Sequence, residues 1–272
     1  MRFGSETRTR EQWLRTVFPP VSREVEAGTL TSSKAQDVAC RYVAEHWPDA
    51  KGVFLYGSIV ERRYKPFSDV DLVVIVSQLR HDLRIRCSFD GLPIEAHIFD
   101  EASFGRDLIQ AERSGVPGVG LATRNALVIL DTDGTAARLK QASSRVFERG
   151  PQELSSIERA YLRRNVTTKL AELLGARPLA ERAIVAAALR ELLYILHFCS
   201  EKMWRYSGNW AARMAPDFGE RLEAAIESAI SAREPDKLFG LARELVIPIG
   251  GFGWADDNLI GREASPNPTR QD

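Results

Sequence analysis

Residues 53–76 read V-F-L-Y-G-S-I-V-E-R-R-Y-K-P-F-S-D-V-D-L-V-V-I-V, and no other stretch restricts the fold as strongly. An apolar run from Val53 to Tyr56 has strand character, and Gly57-Ser58 breaks it. A short charged connection leads to a second apolar run, Val70 to Val76, entered through Asp69-Val70-Asp71. Residues two apart in a strand share a face, so Asp69 and Asp71 point the same way. Two adjacent carboxylates repel, and burying both is costly without a cation. Hard divalent ions such as Mg²⁺ take such oxygens, commonly together with substrate phosphates. A Gly-Ser turn at a strand end supplies backbone N–H groups, a hydroxyl and room for a phosphate chain. A carboxylate pair and a phosphate cradle on one hairpin-like unit point to phosphoryl or nucleotidyl transfer.

The chain has 272 residues, enough for one or two domains with a sizeable core. Lys plus Arg and Asp plus Glu are both 37, so the formal net charge is zero, which speaks against a long nucleic-acid partner. Cys40, Cys87 and Cys199 are far apart and form no C-x-x-C pair, as expected of reduced thiols in a cytoplasmic protein. No apolar leader and no run of about 18 apolar residues stands out, so no membrane association is expected.

A short helix is predicted over Arg10 to Val17. Ser33 to Gln36 has capping-box spacing ahead of a helix carrying Ala35, Val38, Ala39, Tyr42 and Val43, which ends near Trp47. Asp90-Gly91 between two alternating runs predicts a hairpin, with Glu95 and His97 on one face of its second arm. A helix from about Asp100 to Arg113 and a strand from Ala126 to Leu130 follow. After Pro151 the pattern is helical throughout. Ser155 to Glu158 is a second capping box, before a helix with Ile157, Tyr161, Val166, Leu170, Leu173 and Leu174 that reaches a glycine C-cap at Gly175. Further helices are expected over Leu179 to about Met203, Phe218 to Ile230 and Pro235 to Leu245. The layout is an α/β domain over 1–148, a helical domain over 149–261 and a disordered tail over 262–272.

Gly57-Ser58, nine residues, then Ser68-Asp69-x-Asp71-Leu72, with Glu95 later, resembles the DNA polymerase β-type nucleotidyltransferase superfamily. More narrowly, it resembles small bacterial nucleotidyltransferases of the aminoglycoside-modifying kind. The resemblance covers about the first half of the chain. It implies an α/β (α+β) fold, in which an N-terminal mixed β-sheet with flanking helices precedes a C-terminal helical bundle on the substrate side. It also implies that Gly57, Ser58 and Ser68 hold the triphosphate. Asp69, Asp71 and Glu95 become the catalytic and metal-binding set for Mg²⁺, two ions being expected and Mn²⁺ an alternative. ATP becomes the substrate, and Glu95 a candidate general base. Where such proteins often carry an arginine three residues after the motif serine, this chain has Glu61, so Arg62, Arg63 and Lys65 are the candidate replacement cations. His97, Trp204, Arg205 and Trp210 are candidates for the acceptor pocket. The expected activity is transfer of a nucleoside monophosphate, AMP from ATP, to a small-molecule hydroxyl with release of pyrophosphate. The alternatives are a protein-modifying, antitoxin-type transferase and a non-catalytic nucleotide-binding module.

Overall fold

The structure, a computed structural model, describes residues 21–81, 83–175, 178–232 and 234–253. The helix expected over Arg10 to Val17 and the tail over 262–272 lie outside them. Two compact units result. The first takes in the described residues up to Arg113 together with Pro117–Arg149; the second takes in Ser114–Val116 and the described residues from Gly150 onward.

The first unit begins with α1 (Arg23–Ala27) and α2 (Ser32–His46). All five apolar positions expected of α2 are buried: Ala35, Val38, Ala39, Tyr42 and Val43. Its cap differs from expectation. Thr31, in extended conformation, accepts the Lys34 N–H, two positions before the predicted box at Ser33. The reason is hydrophobic: with Thr31 as cap, buried Leu30 and buried Ala35 take the staple positions on either side of it and join the same core.

Five strands follow: β1 (Gly52–Tyr56), β2 (Val70–Ile75), β3 (Leu83–Phe89), β4 (Leu92–Phe99) and β5 (Leu127–Asp131). The sheet order is β3-β4-β2-β1-β5, with β2 and β4 parallel and the other pairs antiparallel. It is the mixed sheet expected of the α+β class. Asp90 and Gly91 both take positive φ, 48° and 72°, as a two-residue turn between β3 and β4 requires. Val53, Leu55, Val70, Leu72, Val74, Leu92, Ile94, Ala96 and Ile98 form one buried sheet face, packed with α2. On the opposite face, the cover among the described residues lies toward one end. There Phe99 meets Phe104 of α3 (Glu101–Ser114) edge to face, and Gly52 lies against Ala136 of α5 (Thr135–Arg149). The short α4 (Val119–Ala122) precedes β5.

The second unit is helical: α6 (Ser156–Leu174), α7 (Leu179–Ser200), α8 (Gly208–Met214), α9 (Pro216–Glu227) and α10 (Asp236–Val246). The Ser155–Glu158 capping box forms in both directions. Gly175 ends α6 in extended rather than left-handed conformation, φ −63° and ψ 154°, so it is a stop without the expected glycine geometry. The buried apolar stripe of α6 is Leu162, Val166, Leu170 and Leu173, with Leu162 joining the three expected positions. Ile157, Tyr161 and Leu174, expected inside, are exposed, as is Ile184 on α7 at 72%. A 19-residue helix meets its partners along one stripe, and apolar side chains off that stripe stay outside. By length and composition α7 is long and apolar enough to cross a membrane, contrary to the expectation that no such run stands out. Its Leu189, Leu193, Leu196 and Phe198 are instead buried in the core of this unit.

Candidate active site

Strand register brings the candidate residues together on the half-covered sheet face. Tyr56 of β1 stands opposite Asp71 of β2, Asp71 opposite Glu95 of β4, and Glu95 opposite Arg86 of β3. The next row is Phe54, Val73, His97 and Arg84. Asp69 lies just before β2, on the Asp71 side. Ligand oxygens of Asp69, Asp71 and Glu95 all fall within 4.8 Å of one another.

Gly57 opens a one-turn 3₁₀ helix (Gly57–Ile59) at the end of β1. It needs to be glycine twice over. Its φ is +77°, and a Cβ there would run into the Asp71 carboxylate. The backbone of the Gly-Ser turn is therefore seated directly against the acids. The connection to β2 is tied internally. Arg63 N–H donates to Ser58 C=O at 2.8 Å, Tyr64 Oη to Ser68 C=O at 2.7 Å, and Lys65 N–H to Ser68 Oγ at 3.3 Å. Ser68 thus organises the loop that delivers Asp69. Arg62 and Lys65 are exposed, and Arg62 holds a positive φ of 57°. Of the three candidate cations, Arg63 is ion-paired with Glu61 itself.

The carboxylates are not equivalent. Burial foremost, then the charges of Asp69, Glu95 and Glu61, push Asp71 up to about 8. Asp69 is also raised, by burial first and by the adjacent Glu95. For Glu95 burial is the largest single influence and acts upward. Bonds from Arg86, Arg84 and His97 outweigh it and leave the carboxyl below its ordinary range. Arg84 Nε lies 2.7 Å and its Nη2 2.5 Å from Oε1, Arg86 Nε and Nη2 both lie 2.7 Å from Oε2, and His97 Nε2 lies 3.1 Å from Oε1. Both arginines are on a strand separated from Asp71 by β4, so sequence spacing alone gives no sign that they converge on one acid. Nor does any motif mark Tyr56. Burial and the charges of Asp71, Glu95 and Asp69 push its phenol upward, so it remains a neutral hydroxyl beside the acids.

Three acids this close, two of them raised by burial and by their neighbours' charge, form a donor set suited to a hard divalent cation. The remaining candidates lie in the helical unit. Trp204 is buried, as a bundle anchor is, while Trp210 is 41% exposed with the Arg213 guanidinium 5.0 Å from its ring centre. The Arg205 N–H donates to Gly115 C=O at 2.7 Å. Arg190 and His197, on one helical face of α7, are both engaged: Arg190 with Glu223 at 2.6 and 2.7 Å, His197 stacked on Phe218 at 4.1 Å.

No curated protein matches the chain in sequence. Among solved structures, the chain is similar to a nucleotidyltransferase-like protein from Exiguobacterium sibiricum, with a TM-score of 0.44 and 13% identity, covering 79% of this chain and 73% of that one. Residues 39–113, the segment from α2 to the end of α3 that carries Gly57, Ser58, Ser68, Asp69, Asp71 and Glu95, match the family model of the nucleotidyltransferase domain.

Proposed function

We propose that the protein is a Mg²⁺-dependent nucleotidyltransferase that moves AMP from ATP to a hydroxyl of a small-molecule acceptor and releases pyrophosphate. The observation that carries this reading is the convergence of Asp69, Asp71 and Glu95 within 4.8 Å, directly against the Gly57 backbone. Asp69, Asp71 and Glu95 would hold the Mg²⁺, with Mn²⁺ as a substitute. When bound, the ion supplies positive charge to the triphosphate and to the oxygens that exchange at phosphorus. The turn at Gly57-Ser58 offers backbone N–H groups and a hydroxyl to the β- and γ-phosphates. Arg62 and Lys65 are the nearest exposed cations in sequence for the charge that Glu61 does not provide.

Glu95 is ionised at neutral pH because Arg86, Arg84 and His97 bond to its carboxylate. Ionisation is the state that a general base needs, but the same bonds lower its basicity. Its contribution to the hydroxyl is then orientation and a hydrogen bond more than forceful proton removal. Tyr56 stays protonated and adds a neutral donor beside the acids without adding to their repulsion.

The test is pyrophosphate release from ATP with and without Mg²⁺, comparing wild type with Asp69→Asn. A metal-dependent activity that falls about a hundredfold or more in the variant is expected, in line with removal of one key charged group from a transfer site. A variant as active as wild type would overturn the proposal. ATP binding with no turnover would favour the non-catalytic module, and nucleotide found on a co-purified protein would favour the protein-modifying alternative.

A further inference from the structure

We infer that the acceptor carries an anionic group, a phosphate or carboxylate near its reacting hydroxyl, and that Arg84 and Arg86 bind it. The inference rests on the nucleotidyl-transfer reading above, because that reading assigns the triphosphate to Gly57-Ser58.

The sheet then sets the direction of the reaction. Across the row Tyr56, Asp71, Glu95 and Arg86, the phosphate turn is at the β1 end, the acids are in the middle, and the arginines are at the β3 end. At about 4.8 Å per strand step, the β1 and β3 positions are roughly 14 Å apart. An in-line displacement puts the leaving and attacking oxygens on opposite sides of phosphorus. With pyrophosphate leaving toward β1, the acceptor hydroxyl attacks from the β4–β3 side. Among the described residues, β3 is the edge strand of the sheet on that side.

What faces an acceptor there is cationic. The side chains of Arg84 and Arg86 are 54% and 66% exposed, while Glu95 between them is buried. The two guanidiniums are the outermost charges on this edge, ahead of the buried carboxylate they bond, while Asp69 and Asp71 lie toward β1, where the bound cation would offset them. Glu95 takes the Nε–Nη2 edge of each arginine, so it fixes both in orientation. An arginine held this way is prepared for a planar or tetrahedral anion. A polycationic amino sugar would meet like charge on this side. The exposed arginines therefore disfavour an aminoglycoside-type acceptor for this chain.

The experiment titrates wild type, Arg84→Gln, Arg86→Gln and Arg86→Lys, each loaded with Mg²⁺ and a non-hydrolysable ATP analogue, with glycerol 3-phosphate, glycerol and a polycationic amino sugar. Calorimetry gives the affinity, and thermal unfolding verifies that each variant is folded. Glycerol 3-phosphate is expected to bind wild type and neither of the other two probes to do so. Its affinity is expected to fall tenfold or more in each glutamine variant and less in Arg86→Lys, which keeps the charge but not the fork, and to fall by a larger factor than affinity for the ATP analogue, which the arginines reach only through Glu95. Anion affinity that survives both glutamine substitutions, or preferential binding of the amino sugar, overturns the inference alone. An equal or larger fall in ATP-analogue affinity in the arginine variants also overturns it, by assigning the arginines to the nucleotide and its metal. Failure of wild type to bind the analogue overturns the nucleotidyl-transfer reading, and this inference with it.

Discussion

Asp71→Asn is expected to make the metal-free protein more stable while removing its response to metal. Asp71 titrates near 8 in the folded chain against an ordinary value of 3.8, because burial and the charges of Asp69, Glu95 and Glu61 oppose its ionisation. The sign follows from linkage. Well below pH 3.8 Asp71 is protonated in both folded and unfolded chains and contributes no penalty. As pH rises toward 8 the unfolded chain ionises first, so the folded state loses stability, and the loss is complete above about 8. A displacement of that size corresponds to at most about 6 kcal/mol. A pair of full charges 4.8 Å apart costs about 3.5 kcal/mol at an effective dielectric of 20. Asp71 is partly exposed and Arg84 acts in the opposite direction, so about 2–4 kcal/mol is a reasonable yield at pH 8. That is roughly 5–10 °C in Tm for the sheet unit. The assay is thermal unfolding of wild type and Asp71→Asn from pH 5 to 8.5, with EDTA and with 10 mM Mg²⁺ or Mn²⁺. The Tm difference in EDTA should grow with pH, from about a third of its pH 8 size at pH 5. Metal should raise the wild-type Tm most at pH 8 and leave the variant's unmoved. Equal pH profiles for the two proteins in EDTA would refute the electrostatic reasoning, and an equal metal response would refute the placement of the ion.

Gly57→Ala should destabilise the sheet unit by about 2 kcal/mol or more in urea unfolding, since the new methyl meets the Asp71 carboxylate at a φ of +77°; it should also abolish the metal-induced Tm shift. Thr31→Ala should cost about 1 kcal/mol, whereas Ser33→Ala should change stability by less than about 0.5 kcal/mol, because it is the Thr31 side chain that accepts the Lys34 N–H. The reverse ranking in chemical denaturation would restore the cap to Ser33.

Much of the site is legible in the sequence because it depends on local periodicity. Asp69 and Asp71 share a face through the two-residue repeat of a strand, and a glycine after Tyr56 is required wherever the chain turns against a neighbour. The Asp90-Gly91 turn and the Ser155–Glu158 box are likewise set by residues within four positions of each other, and both form. Thr31-Ser32-Ser33 offers three hydroxyls of nearly equal merit, and the burial of Leu30 chooses among them.

The sequence alone determined that two acids and a Gly-Ser turn would sit together, since both belong to one pair of adjacent antiparallel strands. Tertiary structure decided what surrounds them. Parallel pairing of β2 with β4 places Glu95 opposite Asp71, although 24 positions separate them and β3 lies between in the chain. Pairing of β3 with β4 then sets Arg84 and Arg86 on that same glutamate and turns the acceptor side cationic. Strand partners are chosen by the burial of whole faces, which no short window of residues contains, so the charge confronting an acceptor became readable only once the sheet was assembled.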